Sequence, residues 1–341
     1  MNNSTTLAPS NTGKPCAAGR FLVADIGGTN TRIALTENGR VVRASIRRFR
    51  NADAATFEDL LRPYFDDIGR PVIDAACVAI AGPMLGDVVE VTNLGWRVDA
   101  HLVGRIIGLK KVSLLNDLEA LGYCLDDLPD AGQNVIFPGS GEKRPASPRL
   151  VVGLGTGFNT AIVHKNARGD LSVDASESGH IEMPVRNEND LRLARFAGHQ
   201  QGYCSIEDIL SGRGLEAVYA WVAHEAKNDR TLNGAEITTA IAQGNDPLAT
   251  RAMATYTTIL GRVLSDFTLA YLPFGGIFLA GGVARHLAPH FERFNLAQAY
   301  TNKGRKSKLM QDFSMVLIDD DFAALTGCSI YLQQTTQARQ I

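Results

Sequence analysis

The chain has 341 residues, with 34 Lys and Arg against 36 Asp and Glu, a formal charge of -2 and a pI near 6.4; this balance excludes a basic nucleic-acid binder. Hydrophobic residues at 45% and charged residues at 21% are an ordinary globular mixture, which excludes disorder for most of the chain. The apolar runs are broken within strand length, far short of the roughly 18 residues of a membrane span, so no membrane partner is expected.

Residues 1–19 are rich in Ser, Thr, Asn, Pro and Gly and lack the basic start and apolar block of a secretory signal. They read as a flexible tail. The five cysteines, at 16, 77, 124, 204 and 328, are odd in number, scattered and without a CxxC pair. Reduced, buried thiols in a cytoplasmic protein are expected, rather than disulfides or a zinc site.

The first ordered element is predicted over 20–24, an apolar run leading into the turn Asp25-Ile26-Gly27-Gly28-Thr29-Asn30 and a second strand through Ile33-Ala34-Leu35. Helices are predicted over 54–65, 100–107 and 118–125, and buried strands over 75–80 and 111–115. The stretch 138–148 clusters Gly, Ser, Pro, Glu and Lys and reads as a surface loop at a domain junction. Residues 149–163 then repeat the opening shape, strand, Gly155-Thr156-Gly157 turn, strand, which suggests a duplicated architecture. Helices follow over 187–197, 205–210, 215–226, 235–243 and 248–272. A strand over 275–280 meets Gly281-Gly282, 315–318 is the last strand, and 323–334 is a helix predicted to pack back on the first domain.

Glycine turns let backbone N–H groups converge on a phosphate without Cβ obstruction, and the Thr29 and Thr156 hydroxyls add donors. Two such turns suit one polyphosphate, although a glycine turn also forms for positive φ alone. Asp25 strengthens the phosphate reading, because a carboxylate beside a triphosphate implies Mg²⁺ to offset the repulsion.

Asp25-Ile26-Gly27-Gly28-Thr29-Asn30, Leu115-Asn116-Asp117, Gly155-Thr156-Gly157 and Gly281-Gly282 together resemble the hexokinase/actin/Hsp70 type of ATPase. More narrowly, Ala79-Ile80-Ala81-Gly82-Pro83, Glu177-Ser178-Gly179-His180, Leu210-Ser211-Gly212-Arg213-Gly214-Leu215 and Lys303-Gly304-Arg305 resemble the bacterial glucokinases, in family order from about 21 to 334. The resemblance implies an α/β, two-domain actin-like (ribonuclease H-like) fold with a central interdomain cleft. It also implies ATP-dependent phosphorylation of glucose, with ATP and Mg²⁺ as cofactors.

Asp117 is the candidate general base, since a sugar alcohol is a poor nucleophile until its proton is being removed, and the family's base falls on this aspartate. Capping of a helix beginning at Leu118 would equally explain Asn116-Asp117. Glu177 and His180 match the family's sugar-binding Glu and His, and polyols demand acceptors as well as donors. Glu207 matches another sugar ligand, although an acid in a helix first turn behind Ser205 has a structural reason to be there. The candidate sugar site is therefore Asn116, Asp117, Glu177, His180 and Glu207, and the candidate nucleotide site is Ala24, Asp25, Ile26, Gly27, Gly28, Thr29, Gly155, Thr156, Gly157, Gly281 and Gly282. A metal site built from protein side chains is not expected, because the seven histidines are dispersed and the cysteines lack ligand spacing.

Two departures from the family pattern stand out. Asn159 occupies a position where a further glycine is expected, and its side chain would crowd or re-aim a phosphate contact. Ser176 and Ser178 flank Glu177 where glycines are common, so the sugar loop would be stiffer or offer extra hydroxyls. The basic run 303–308 reads as a solvated loop, and apolar helices after Leu215 leave open a homodimer face. The expected division is a tail over 1–19, a small α/β domain over 20–127 plus 318–341 and a large one over 128–317. The alternatives are a non-catalytic sugar-sensing regulator with the same fold, a kinase of another hexose, and a protein-remodelling ATPase, the last disfavoured by Glu177 and His180.

Overall fold

The computed structural model describes residues 19–338 except positions 83, 85, 92–93, 142–143, 145, 199–201 and 229, and only the backbone of Ala338. Residues 1–18 of the tail expected over 1–19, with Cys16, and Pro83 lie outside the described residues. In chain order come β1 (Arg20–Ile26), β2 (Asn30–Glu37), β3 (Arg40–Val41), β4 (Arg47–Arg50), α1 (Phe57–Asp67), β5 (Ala75–Ile80), β6 (Val88–Val91) and β7 (Trp96–Asp99). Next are α2 (Ala100–Ile107), β8 (Ser113–Asn116), α3 (Asp117–Cys124), β9 (Gln133–Phe137), β10 (Arg149–Leu154), β11 (Phe158–Lys165) and β12 (Leu171–Ala175). A helical stretch holds α4 (Glu188–Ala197), α5 (Ile206–Ile209), α6 (Gly212–Glu225), α7 (Gly234–Gln243) and α8 (Pro247–Tyr271). The chain ends with β13 (Ile277–Ala280), α9 (Gly282–Leu287), α10 (Leu296–Thr301), α11 (Ser307–Met310), β14 (Met315–Ile318) and α12 (Ala323–Ala338).

Two six-stranded sheets share one plan. The first runs β3-β2-β1-β5-β8 with β4 also on β2, and the second runs β12-β11-β10-β13-β14-β9. In each, an antiparallel hairpin (β1 with β2, β10 with β11) adjoins two strands parallel to its first arm. The repeated strand–turn–strand pattern thus marks a structural duplication. Strands β5 and β10 are buried along almost their whole length, as parallel strands covered on both faces must be, and their continuous apolar composition follows from that.

Three apolar clusters fill the molecule. One face of the first sheet packs on α1 and α2 through Phe57, Leu61, Val103 and Ile107. One face of the second packs on α6 and α8 through Tyr219, Val222, Leu260 and Leu264. Between the sheets, Leu118, Ala120 and Cys124 of α3 and Leu325, Cys328 and Leu332 of α12 join Val23, Cys77, Val151 and Val163. Helix α12 does pack on β1, β5 and α3, and the approach is close: a Cβ at Gly327 would lie 1.7 Å from the Ala120 carbonyl oxygen.

The predicted boundaries move where caps decide them. Helix α1 starts at Phe57 rather than 54 because the Thr56 hydroxyl accepts from the Asp59 N–H while the Asp59 carboxylate accepts from the Thr56 N–H. Strand β4, three arginines in four residues, is concealed by its composition and forms because β2 offers it an edge. The loop 138–148 joins two strands of the same sheet, β9 and β10, and is not a domain junction. The run 303–308 is solvated as expected, with residues 304–306 and 308 exposed, but it forms a 3₁₀ turn and the start of α11 rather than an irregular loop, and Lys303, 12% exposed in its side chain, pairs with Asp266. Apolar residues of α6 and α8 serve the core, so they do not argue for a dimer face. Cys77, Cys124, Cys204 and Cys328 are free and buried. Among the described residues no helix is long and apolar enough to cross a membrane.

Candidate active site

In a parallel sheet the chain leaves each strand at its carboxyl end, and polar loop residues collect there. Register places Ile80 beside Asn116 at the ends of β5 and β8, and Gly153 beside Ala280 near the ends of β10 and β13. These ends and the loops after them enclose a cavity of about 560 Å³ between the two sheets.

Asp117 stands on its floor, as the first residue of α3. Asn116 caps that helix: its Oδ1 accepts from the Leu118 N–H at 2.9 Å, its Nδ2 donates to the Gly82 carbonyl at 3.0 Å, and its own N–H is taken by Glu119. Capping and cavity lining therefore coexist at this pair, and the second Nδ2 hydrogen of Asn116 remains available. The Asp117 Oδ1 accepts from the Leu118 N–H at 2.9 Å. Burial dominates its titration, raising the pKa to about 7, and the negative charges of Asp25 and, more weakly, Glu177 act in the same direction.

Glu177, His180 and Glu207 line the same cavity. Glu177 opens a 3₁₀ turn, Ser178–His180, whose tightness is enforced by Gly179: a Cβ there would fall 1.9 Å from the Phe158 carbonyl oxygen. Glu207 lies in the first turn of α5, behind the Ser205–Asp208 capping box, and its Oε2 accepts from the Phe158 N–H at 2.9 Å. It occupies space that Gly157 vacates, since a Cβ on Gly157 would sit 2.5 Å from Glu207 Oε2. Both readings of this acid, first-turn residue and cavity wall, hold together. Arg213, also in the wall, lies 3.6 Å from Glu207 Oε1.

The two glycine turns approach each other across the cleft, a Cβ at Gly28 reaching within 3.7 Å of Thr156 Oγ1. At Gly155 and Gly282 a Cβ would meet nothing within 4 Å, so open space adjoins the backbone there, the shape a phosphate cradle needs. Gly281 has φ 108° and a Cβ there would strike the Leu154 carbonyl at 2.4 Å, which only glycine accommodates. Gly155, Thr156, Gly157 and Gly281 line the cavity. Ala24 and Ile26 are fully buried in the first sheet with β2 and β5 on either side, so the structure places neither where it can touch a ligand.

Asp25 is tied to Arg32 at 3.2 Å, and Arg32 also reaches Asp321 at 3.4 Å, which Arg285 of α9 contacts at 2.7 Å. Burial raises the Asp25 pKa against the lowering pull of Arg32. The negative charge of Asp25 is felt at Asp117 beside the open glycine cradle, and a carboxylate in the place of Asp25 fits a hydrated cation accompanying a polyphosphate.

Some supporting residues are invisible in the sequence motifs. Asn51, buried, donates from Nδ2 to the Gly27 carbonyl at 2.7 Å, accepts from Thr31 Oγ1 at 2.8 Å, and its N–H reaches the Thr29 carbonyl at 3.0 Å. It buttresses the first turn from more than twenty residues away, and no local signal announces it. Asn159 does not crowd the second turn; its amide reaches Glu177 and Gly179 instead. Ser176 and Ser178 spend their hydroxyls on Thr160 Oγ1, at 3.0 and 2.9 Å, which favours the stiffening reading.

A glucokinase family model matches residues 22–335. The glucokinase of Sinorhizobium fredii is 33% identical over 315 residues, covering 91% of each chain. The crystal structure of a glucokinase from an Antarctic psychrotroph superposes with a TM-score of 0.79 at 26% identity, covering 93% of this chain and 99% of that one. The glucokinase of Balamuthia mandrillaris, determined in complex with glucose, shares the fold at a TM-score of 0.76 and 22% identity over 96% and 95% of the two chains. With the interdomain cavity, the paired glycine turns and this whole-length likeness in hand, the chain belongs to the glucokinase family.

Proposed function

We propose that Asp117 is the general base of the reaction this family catalyses, the ATP-dependent phosphorylation of glucose to glucose 6-phosphate. The observation that carries the assignment is its position and titration together: a carboxylate on the cavity floor with a pKa of about 7 holds a proton loosely enough to exchange it near neutral pH. Asn116, Glu177, His180 and Glu207 bind the sugar hydroxyls, and Asp25 with the turns at 27–29, 155–157 and 281–282 binds ATP. Asp117 accepts the proton of the 6-hydroxyl as that oxygen attacks the γ-phosphorus, and the bond from the γ-phosphorus to the β–γ bridging oxygen breaks, ADP leaving with its electron pair. Mg²⁺ carried with ATP would supply neutralising charge at the phosphate oxygens, and Asp25 is the carboxylate that would hold it, through water, which leaves Asp117 free to act as the base.

In this reading residues 20–127 with 318–341 form a small lobe and 128–317 a large one, and closing the cleft on sugar excludes water that would otherwise hydrolyse ATP. The cytoplasm, where glycolysis consumes the product, is the fitting compartment for four free, buried thiols. The test is an ADP-release assay on the purified protein across a panel of hexoses, with and without Mg²⁺. Turnover on glucose that requires Mg²⁺ and exceeds that on other hexoses is expected. Equal or greater turnover on another aldohexose would overturn the sugar assignment, and turnover that persists in EDTA would overturn the Mg²⁺ assignment.

A further inference from the structure

The carboxylate of Glu177 does not stand alone on its loop. Asn159, the second residue of β11, donates from Nδ2 to Glu177 Oε2 at 2.9 Å and accepts at Oδ1 from the Gly179 N–H at 3.0 Å. One side chain thereby grips both the acid and the backbone of the turn that carries it. The next residue, Thr160, holds the same loop: its hydroxyl meets those of Ser176 and Ser178, and its carbonyl accepts from the Ser176 N–H at 2.9 Å. Asn159 is also part of the cavity wall, beside Glu177 and His180.

An exposed glutamate normally samples many rotamers, and a ligand that needs one of them must meet the entropy of selecting it. A rigid amide bonded to one carboxylate oxygen selects the rotamer in advance and leaves the other oxygen free to accept. The amide, being neutral, does this without the competing charge that a lysine or arginine would bring. We propose that Asn159 is a positioning residue for sugar recognition: it presets Glu177 and the turn through His180, so that the acceptor oxygen is already aimed when the sugar arrives.

This inference rests on Glu177 being a sugar ligand, and the experiment separates the two claims. Steady-state KM values for glucose and for ATP are measured on the full chain for Asn159→Ala, Asn159→Asp, Glu177→Ala and the Asn159→Ala/Glu177→Ala double variant. Asn159→Ala is expected to raise the glucose KM about tenfold, the low end for loss of a hydrogen bond to a charged group, with the ATP KM within twofold of wild type. Asn159→Asp keeps the acceptor for the Gly179 N–H, so it guards against simple loss of the loop. Its carboxylate repels Glu177, and its glucose KM should rise at least as much. In the Glu177→Ala background the Asn159→Ala effect should largely vanish, because the group being positioned is gone. An unchanged glucose KM in Asn159→Ala, a rise in the ATP KM instead, a wild-type-like Asn159→Asp, or additive effects in the double variant would each overturn the proposal. A Glu177→Ala variant with an unchanged glucose KM would instead overturn the assignment of Glu177 as a ligand.

Discussion

Glu207 Oε2 accepts a hydrogen bond from the Phe158 backbone N–H at 2.9 Å, in space that exists because residue 157 has no side chain. The turn proposed to face the nucleotide and the acid proposed to bind the sugar are therefore tied by a direct hydrogen bond. Gly157→Ala puts a methyl 2.5 Å from that oxygen and must push Glu207 aside. A glucose KM raised by about tenfold or more is expected, from loss of a charge-assisted hydrogen bond and displacement of a ligand. Steady-state kinetics on the variant check it, and an unaltered glucose KM would show that Glu207 is not needed where it stands.

Asp117→Asn retains an oxygen to accept from the Leu118 N–H but removes the proposed base. Turnover should fall by about 10²- to 10⁴-fold, while the Kd for glucose, read by calorimetry, stays within a few-fold. A kcat near that of wild type would sink the assignment.

The pH dependence follows from the raised pKa of Asp117, about 7. The base works only when deprotonated, so kcat should decline below about pH 7 with a slope of one proton. The negative charge of Asp25 helps hold that value up, so Asp25→Asn should move the decline toward lower pH. A pH–rate profile indifferent to Asp25 would contradict the coupling.

Stability carries the same signature with the opposite benefit. A carboxyl whose folded pKa is raised binds its proton more tightly folded than unfolded, so its contribution is favourable at low pH and is lost as pH rises toward 7. Asp117→Asn, neutral throughout, should raise the melting temperature at pH 8 by roughly 1–4 °C and by less than half as much near pH 5, because the loss runs from the ordinary carboxylate value of 3.8 up to about 7. Calorimetric scans at the two pH values decide it; equal shifts at both would mean that the charge is not the cause.

Gly327→Ala tests the central core. Its methyl would lie 1.7 Å from the Ala120 carbonyl oxygen, so α12 must lift from α3, the helix that begins at Asp117. A loss of about 1–3 kcal/mol or more of stability is expected from overpacking against backbone, accompanied by reduced kcat because the base moves with its helix. Urea unfolding and activity measured together check this, and a stable variant with full turnover would show that the two helices can separate without moving the site.

Sequence alone determined the local pieces. The two strand–glycine–strand units, the buried run of β5 and the helix at Ala100–Ile107 announce themselves through apolar periodicity and turn chemistry within a few neighbours, whereas Asp117, Glu177 and Glu207 are singled out by the family resemblance. Tertiary structure alone decided what those pieces do to each other. Asn51 beneath the first turn, the Arg32–Asp321–Arg285 chain and the edge strand β4 depend on partners that chain distance hides. Asn159 is the clearest instance: as a sequence position it suggests interference with a phosphate turn, and only the fold, bringing β11 against the loop eighteen residues later, turns its amide toward Glu177. Local pattern reports which backbone conformation a segment prefers, whereas a side chain's hydrogen-bond partner depends on which strands and loops the closed core has brought within 3 Å of it.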